Sequence, residues 1–251
     1  MLSQTLGLAR KLLAVALITL AGSAVAAPIN TVLYSSLTVG GLEDFETLAA
    51  GPLPGTNYDA IVDLDGTAYA ERFAGQTLGT SGDFDTLSGT PTGSLSLVAG
   101  AANQNLVAAD LGGVGITGLG PLGYPLDGAN GEGAFSILLD VDSAEFGIEI
   151  RGGNGGSATL RFFRRDGTLI DTVTLPGLTD GLYGFAREAA VADIAGISIT
   201  NDDPNGVGYD NVRFHQTQVP EPARGTLAAL ALAAVWARAG RRTHGVNGLR
   251  G

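Results

Sequence analysis

The chain has 251 residues, 39 of them glycine and none cysteine, and its 25 Asp and Glu outnumber 14 Lys and Arg. Without cysteine there are no disulfide staples, thiol nucleophiles or thiolate metal sites, so a folded body must be held by its core or by bound ions. Between positions 28 and 218 seven arginines stand against 24 carboxylates, a formal charge of −17. Such a surface repels nucleic acid and anionic lipid and attracts divalent cations, which excludes a nucleic-acid partner.

The N-terminus carries Arg10 and Lys11, an apolar run from Leu12 to Ala21, and the small-residue exit Ala24-Val25-Ala26. A basic lead, a short apolar helix and an A-x-A site make residues 1–26 a signal peptide, cut by signal peptidase before Ala27. The body, 27–218, suits one large all-β domain or two small ones. Near its start lies the acidic stretch Glu43-Asp44-Phe45-Glu46. Asp63-Leu64-Asp65-Gly66-Thr67 opens like an EF-hand loop but has Ala74 where the twelfth-position Glu belongs, so it is not one. Leu95–Val98 and Gln104–Ala108 read as strands. Gly112–Gly123, dense in glycine with isolated Val114, Ile116 and Leu119, reads as a long loop packed on a sheet.

The second half is more regular. Glu145 to Arg151 alternates so that Phe146, Ile148 and Ile150 face a core while Glu145, Glu149 and Arg151 face water. Gly152-Gly153-Asn154-Gly155-Gly156 has no helix pattern or Lys after it, so it is a turn and not a phosphate loop. Thr159–Arg164 and Thr168–Leu175 flank Asp166-Gly167, a hairpin signal of type I′, and Ala195–Thr200 and Val207–Phe214 add two strands. Short strands at close intervals predict an all-β fold, an antiparallel β-sandwich of jelly-roll type, flanked by the signal helix and a C-terminal apolar helix.

Catalytic chemistry finds little support. The only histidines are His215, after the last strand, and His244, in the tail. Trp236 also lies in the tail, so the platforms for a sugar come from tyrosines, Tyr58, Tyr69, Tyr124, Tyr183 and Tyr209 among them. The richest run is Asn201-Asp202-Asp203-Pro204-Asn205-Gly206 leading into Tyr209-Asp210-Asn211-Val212-Arg213-Phe214. With Val212 and Phe214 inward, period 2 puts Asp210 inward as well, where a carboxylate needs a partner or a metal. Calcium, which takes six to eight oxygens, suits Asp and Asn side chains. The other reading of Asp202, Asp203 and Asn205 is a solvated turn.

The early Phe45-Glu46 and the late Asp210-Asn211 resemble the frame of MAM-type and galactose-binding-like jelly rolls. In that architecture the first and last strands lie side by side, with calcium between. The resemblance implies Glu46 and Asp210 as calcium ligands, helped by Asn211 or Asp44.

The C-terminus reads Val219-Pro220-Glu221-Pro222, then an apolar run from Gly225 to Ala237, then Arg238, Arg241 and Arg242. These residues resemble the PEP-CTERM sorting signal, here 219–242. The Pro-Glu-Pro triad stays extended, the apolar run enters a bilayer, and the arginines hold the far end in the cytoplasm. Residues 225–237 span ~20 Å as a helix against a ~30 Å hydrocarbon core, so they hold the membrane only transiently. Residues 243–251 form a cytoplasmic extension. The resemblance implies export across the inner membrane, processing by an exosortase-type enzyme, and a place at the cell surface or in an exopolysaccharide matrix. The expected role is therefore structural or adhesive and non-enzymatic. Its alternatives are a carbohydrate-binding module with structural calcium, or an exopolysaccharide hydrolase with two carboxylates ~5–9.5 Å apart.

Overall fold

The computed structural model describes residues 28–216. The expected signal peptide with its helix, the expected C-terminal helix and the expected sorting residues Val219, Pro220, Glu221, Pro222, Arg238, Arg241 and Arg242 lie outside the described residues. The first half contributes β1 (Ile29–Leu33), β2 (Gly41–Glu43), β3 (Thr56–Tyr58), β4 (Val62–Leu64), β5 (Thr67–Ala70) and β6 (Arg72–Phe73). It continues with β7 (Thr77–Ser81), β8 (Phe84–Ser88), β9 (Leu97–Val98), β10 (Leu106–Asp110) and β11 (Val114–Gly118). The second half contributes β12 (Phe135–Ser143), β13 (Glu145–Asn154), β14 (Ser157–Phe163), β15 (Leu169–Pro176), β16 (Thr179–Arg187), β17 (Ile194–Asn201) and β18 (Gly208–Phe214).

These strands make an antiparallel sandwich. One sheet has the order β1-β16-β13-β18-β11-β10-β3, with β2 also against β18; the other runs β15-β14-β17-β12-β5-β4. Two small ribbons, β6-β9 and β7-β8, complete the set. From β12 onward the chain repeatedly changes sheet, which is the wound connectivity of a jelly roll. The layer between the sheets is aromatic. Phe45 meets Tyr69 edge-on at 5.1 Å, Tyr69 stacks on Phe135 at 5.6 Å, and Phe135 stacks on Tyr209 at 4.7 Å. Phe146, Phe162 and Phe185 form a second group of rings in the same core. Each fully buried ring of this kind contributes about 1.5–3 kcal/mol through the water it sheds.

Strand β13 has the expected phase: Phe146, Ile148 and Ile150 are core residues, whereas Glu149 and Arg151 are half-buried on the other face. The β14–β15 hairpin also forms, but with a different turn. Gly167 has φ +84° and Asp166 is not left-handed, so the turn is not type I′. The Gly167 N–H donates to Arg164 O and the Arg164 N–H to Thr168 O, which is a type I turn closed by a glycine bulge. Leu95–Val98 shrinks to the two residues of β9.

The stretch Gly112–Gly123 is the clearest departure from expectation. It is not a loop on the sheet but contains β11, an interior strand paired with β10 along its full length and with β18 at Ile116↔Tyr209. Glycine lowers local strand preference, yet here it is what the packing needs. A Cβ on Gly115 would sit 3.0 Å from the Leu111 side chain and 3.2 Å from Tyr209 O. Only the segment after β11, 119–131, is a loop. It lies over the far face of β10, where Leu119 and Ala129 pack on Val107 and Ala109.

Candidate functional site: a polar cavity on the outer sheet face

The site starts from an irregularity in β18. Opposite β13 the register runs Gly147↔Arg213 and then Glu149↔Asp210, so β18 holds one extra residue. That extra residue is absorbed at Asn211, whose φ is +47°, a conformation Asn tolerates better than most residues. The bulge resets the alternation. Tyr209, Val212 and Phe214 are all core residues, and Asp210 is delivered to the outer face beside Glu149 and Arg151. The inward placement expected from unbroken period 2 is therefore wrong by one residue.

Asp210 is nonetheless 3% exposed. Its Oδ2 lies 2.5 Å from Arg151 Nη2, and its Oδ1 accepts the Asn211 N–H at 2.6 Å. Burial pushes its pKa up to about 6, with Glu149 and Asp44 adding to the rise, against the pull of the Asn211 N–H and of Arg151. The Arg151 guanidinium is the organiser of this nest. Besides Asp210 it donates through Nη1 to Leu111 O at 3.2 Å, and its Nε lies 3.3 Å from Glu149 Oε1. Glu149 Oε2 in turn accepts the Asn211 side-chain amide.

The structure brings the four expected calcium ligands into this neighbourhood. β2 pairs with β18 at Val212↔Glu43, so the acidic stretch that leaves β2 passes over the bulge. Asp44 Oδ1 accepts the Glu46 N–H at 3.2 Å, and Glu46 Oε1 accepts the Val114 N–H at 3.1 Å. As arranged, the set does not fit a calcium ion: the guanidinium of Arg151 stands against Asp210 where the cation would sit. Among the described residues no group of three or more His, Cys, Asp and Glu is disposed to hold a metal. The run Asn201–Asn205 makes a tight turn instead. Asp203, fully buried, accepts the N–H groups of Asn154, Gly156 and Asn205, and Asp202 accepts Ser157.

Over the same outer face lies a cavity of about 650 Å³. Its lining includes Leu111, Thr117, Glu149, Arg151 and Gly208 from β11, β13, β18 and the β10–β11 turn, with Leu53, Asp127, Asn130, Asp180 and Asn205 from the surrounding loops and β16. The wall is fastened by close backbone contact between the 119–131 loop and the β17–β18 turn. A Cβ on Gly131 (φ +82°) would stand 2.3 Å from Val207 N, and one on Gly206 (φ +66°) 2.2 Å from Asn130 O. Asn201 clamps the same junction, donating from Nδ2 to Gly131 O at 2.7 Å.

The cavity lining offers several acceptors without a partner. Asp180 Oδ1 receives the N–H groups of Gly152 and Gly153, which leaves its second oxygen. The Asp127 carboxylate has no partner among the described residues. Asn130 is 9% exposed and its Oδ1 is a buried oxygen without a hydrogen-bond partner. None of the lining side chains is aromatic. Tyr69 and Tyr209 are fully buried in the core, while Tyr58, Tyr124 and Tyr183 are half-buried elsewhere. His215 is exposed just past β18.

The cavity was not legible as a site in the sequence. Asp127 and Asp180 sit in plain surroundings, and only the tertiary arrangement sets them around Glu149 and Arg151. A partial signal existed in the outward phase of Glu149 and Arg151 on β13. Among the described residues, no helix is long and apolar enough to cross a membrane. Comparison with family models, curated proteins and solved structures finds no match to this chain.

Proposed function

We propose that this is an exported, non-enzymatic β-sandwich that binds carbohydrate in the outer-face cavity and acts as an adhesive component of a cell-surface or matrix layer. The observation that carries the reading is the cavity itself. At about 650 Å³ it is sized for a short oligosaccharide, and its Asp, Asn, Thr and backbone groups are the partners that sugar hydroxyls require. Leu53 and Leu111 offer apolar surface for the C–H face of a ring. Export rests on the two terminal signals. In this reading signal peptidase removes 1–26, residues 225–237 engage the membrane transiently, and an exosortase-type enzyme acts at Pro220-Glu221-Pro222.

The test is calorimetric titration of the full chain with oligosaccharides of neutral, amino and uronic type, in calcium and again in chelator. Saturable binding that falls at least about tenfold in Asp127→Ala, at an unchanged melting temperature, is expected. The affinity should be equal in the two buffers. Binding confined to the calcium buffer would restore a metal to the Asp210 nest, and release of reducing ends from a polymer would move the reading to a hydrolase. No binding of any saccharide overturns it.

A further inference from the structure

We infer that the cavity selects a cationic sugar: its ligand is a polymer of hexosamine with free amino groups, rather than a neutral or uronic polysaccharide. This rests on the carbohydrate reading above and adds the class of glycan to it.

The first argument is charge. Asp127, Glu149 and Asp180 line the cavity against a single cation, Arg151. That cation is already committed. Its Nη2 faces Asp210, its Nη1 donates to Leu111 O and its Nε lies beside Glu149, so its charge is already balanced by carboxylates of the protein. The buried carboxylate of Asp210 adds a further negative charge just behind the cavity floor. A ligand carboxylate would enter a net-negative, partly desolvated space, whereas an ammonium group would be drawn into it.

The second argument is hydrogen-bond polarity. Beside the Asn205 amide and the buried Arg151 Nε, the unpartnered groups of the lining include three acceptors: the Asp127 carboxylate, the second oxygen of Asp180 and Asn130 Oδ1. Asn130 Oδ1 is the telling atom. A buried amide oxygen with no partner costs roughly 1–3 kcal/mol, and it marks a place where a donor belongs. An ammonium carries three donors and no acceptor, which is the complement of these three acceptors.

A third consideration separates an organic cation from a metal ion. The cavity is far larger than a bare cation, and no three described carboxylates are grouped to share one. With no aromatic platform among its lining residues, affinity in the cavity must come from charge and hydrogen bonds, the terms in which an amino sugar differs most from its acetylated form.

The experiment titrates the full chain at low salt with tetramers of glucosamine, of N-acetylglucosamine and of galacturonic acid. The glucosamine tetramer should bind about tenfold tighter than its acetylated counterpart, the worth of two exposed ion pairs, and the margin should shrink as salt is raised. Asp127→Asn with Asp180→Asn should erase the margin and leave the weaker, acetylated ligand bound as before. Because the whole body is acidic, a charge-matched control is needed. Asp63→Asn with Asp140→Asn, both exposed on the opposite sheet, should keep the margin. Loss of the margin in that control would reduce the effect to general attraction and overturn the inference. Equal affinity for the amino and acetylated tetramers, or preference for the uronate, would overturn it while leaving carbohydrate binding intact. Failure of all three tetramers to bind would overturn both.

Discussion

At the scale of single residues, the acids of this chain are divided by environment more than by type. Asp203 is fully buried yet accepts three backbone N–H groups, which is how a buried carboxylate is made tolerable. Asp85 and Asp210 are compensated less well, and burial pushes both up to about 6. Asp85 accepts the Ala134 N–H and feels Arg72, and these pull against the burial without cancelling it. Both groups hold a proton more tightly in the folded chain than in the unfolded one, where the value is near 4. Their contribution to stability is therefore greatest below about 4 and is lost as pH rises through about 6. Asp193, held below its usual range by Arg187 and Arg164 despite its burial, runs the opposite way, but its window lies at lower pH. The melting temperature should accordingly be higher at pH 5 than at pH 7.5. Asp85→Asn should flatten that slope and raise the value at pH 7.5. A melting temperature that climbs with pH across this interval would show that the buried acids are ionised at little cost.

At the scale of elements, the β18 bulge decides what the outer face presents. One extra residue turns Tyr209 into the aromatic layer and Asp210 out toward Arg151. The device depends on Asn211 at φ +47° and on its amide, which reaches Glu149. A β-branched side chain in that conformation costs about 1–2 kcal/mol for the backbone alone. In a domain of this size Asn211→Val should therefore lose roughly 2–8 °C of melting temperature beyond the loss in Asn211→Gly, which removes the same amide but none of the backbone freedom. Equal loss in both variants would place the whole effect in the side-chain hydrogen bond. The same scale explains why β11 escaped the sequence reading. Its glycines suggest a loop when scored locally, yet two neighbouring strands and the Leu111 side chain close over them.

At the scale of the whole molecule, the body is a sandwich, and the proposed reading gives it one outer sheet face as recognition surface and signals for export beyond both ends. The tail prediction belongs here, because it concerns routing and not the folded body. Replacing Pro220, Glu221 and Pro222 with alanine in a host that has an exosortase-type enzyme should leave an unprocessed precursor in membrane fractions, detected by a mass shift on blotting. Maturation at the normal rate would remove the sorting role from that triad.

The order of residues by itself determined the fold class, the phase of β13 and the strands of the second half. These are local signals: alternation at period 2 and glycine turns act within a few residues, and nothing distant needs to be known. It also determined that the body is acidic and has no cysteine, while the grouping of Asp44 and Glu46 with Asp210 and Asn211 came from the resemblance to a jelly-roll frame. It did not carry the phase of Asp210, because a bulge is defined by the partner strand it slips against. Nor did it carry the hairpin's turn type, which depends on the backbone of Asp166 as well as Gly167. Above all, the cavity was decided only by the tertiary structure. Asp127, Glu149 and Asp180 lie on a loop, on β13 and on β16, and what joins them is the close seating of Gly131 on Val207 and of Gly206 on Asn130. Contacts of that kind leave no periodic trace along a chain, since they are made between backbones far apart in sequence.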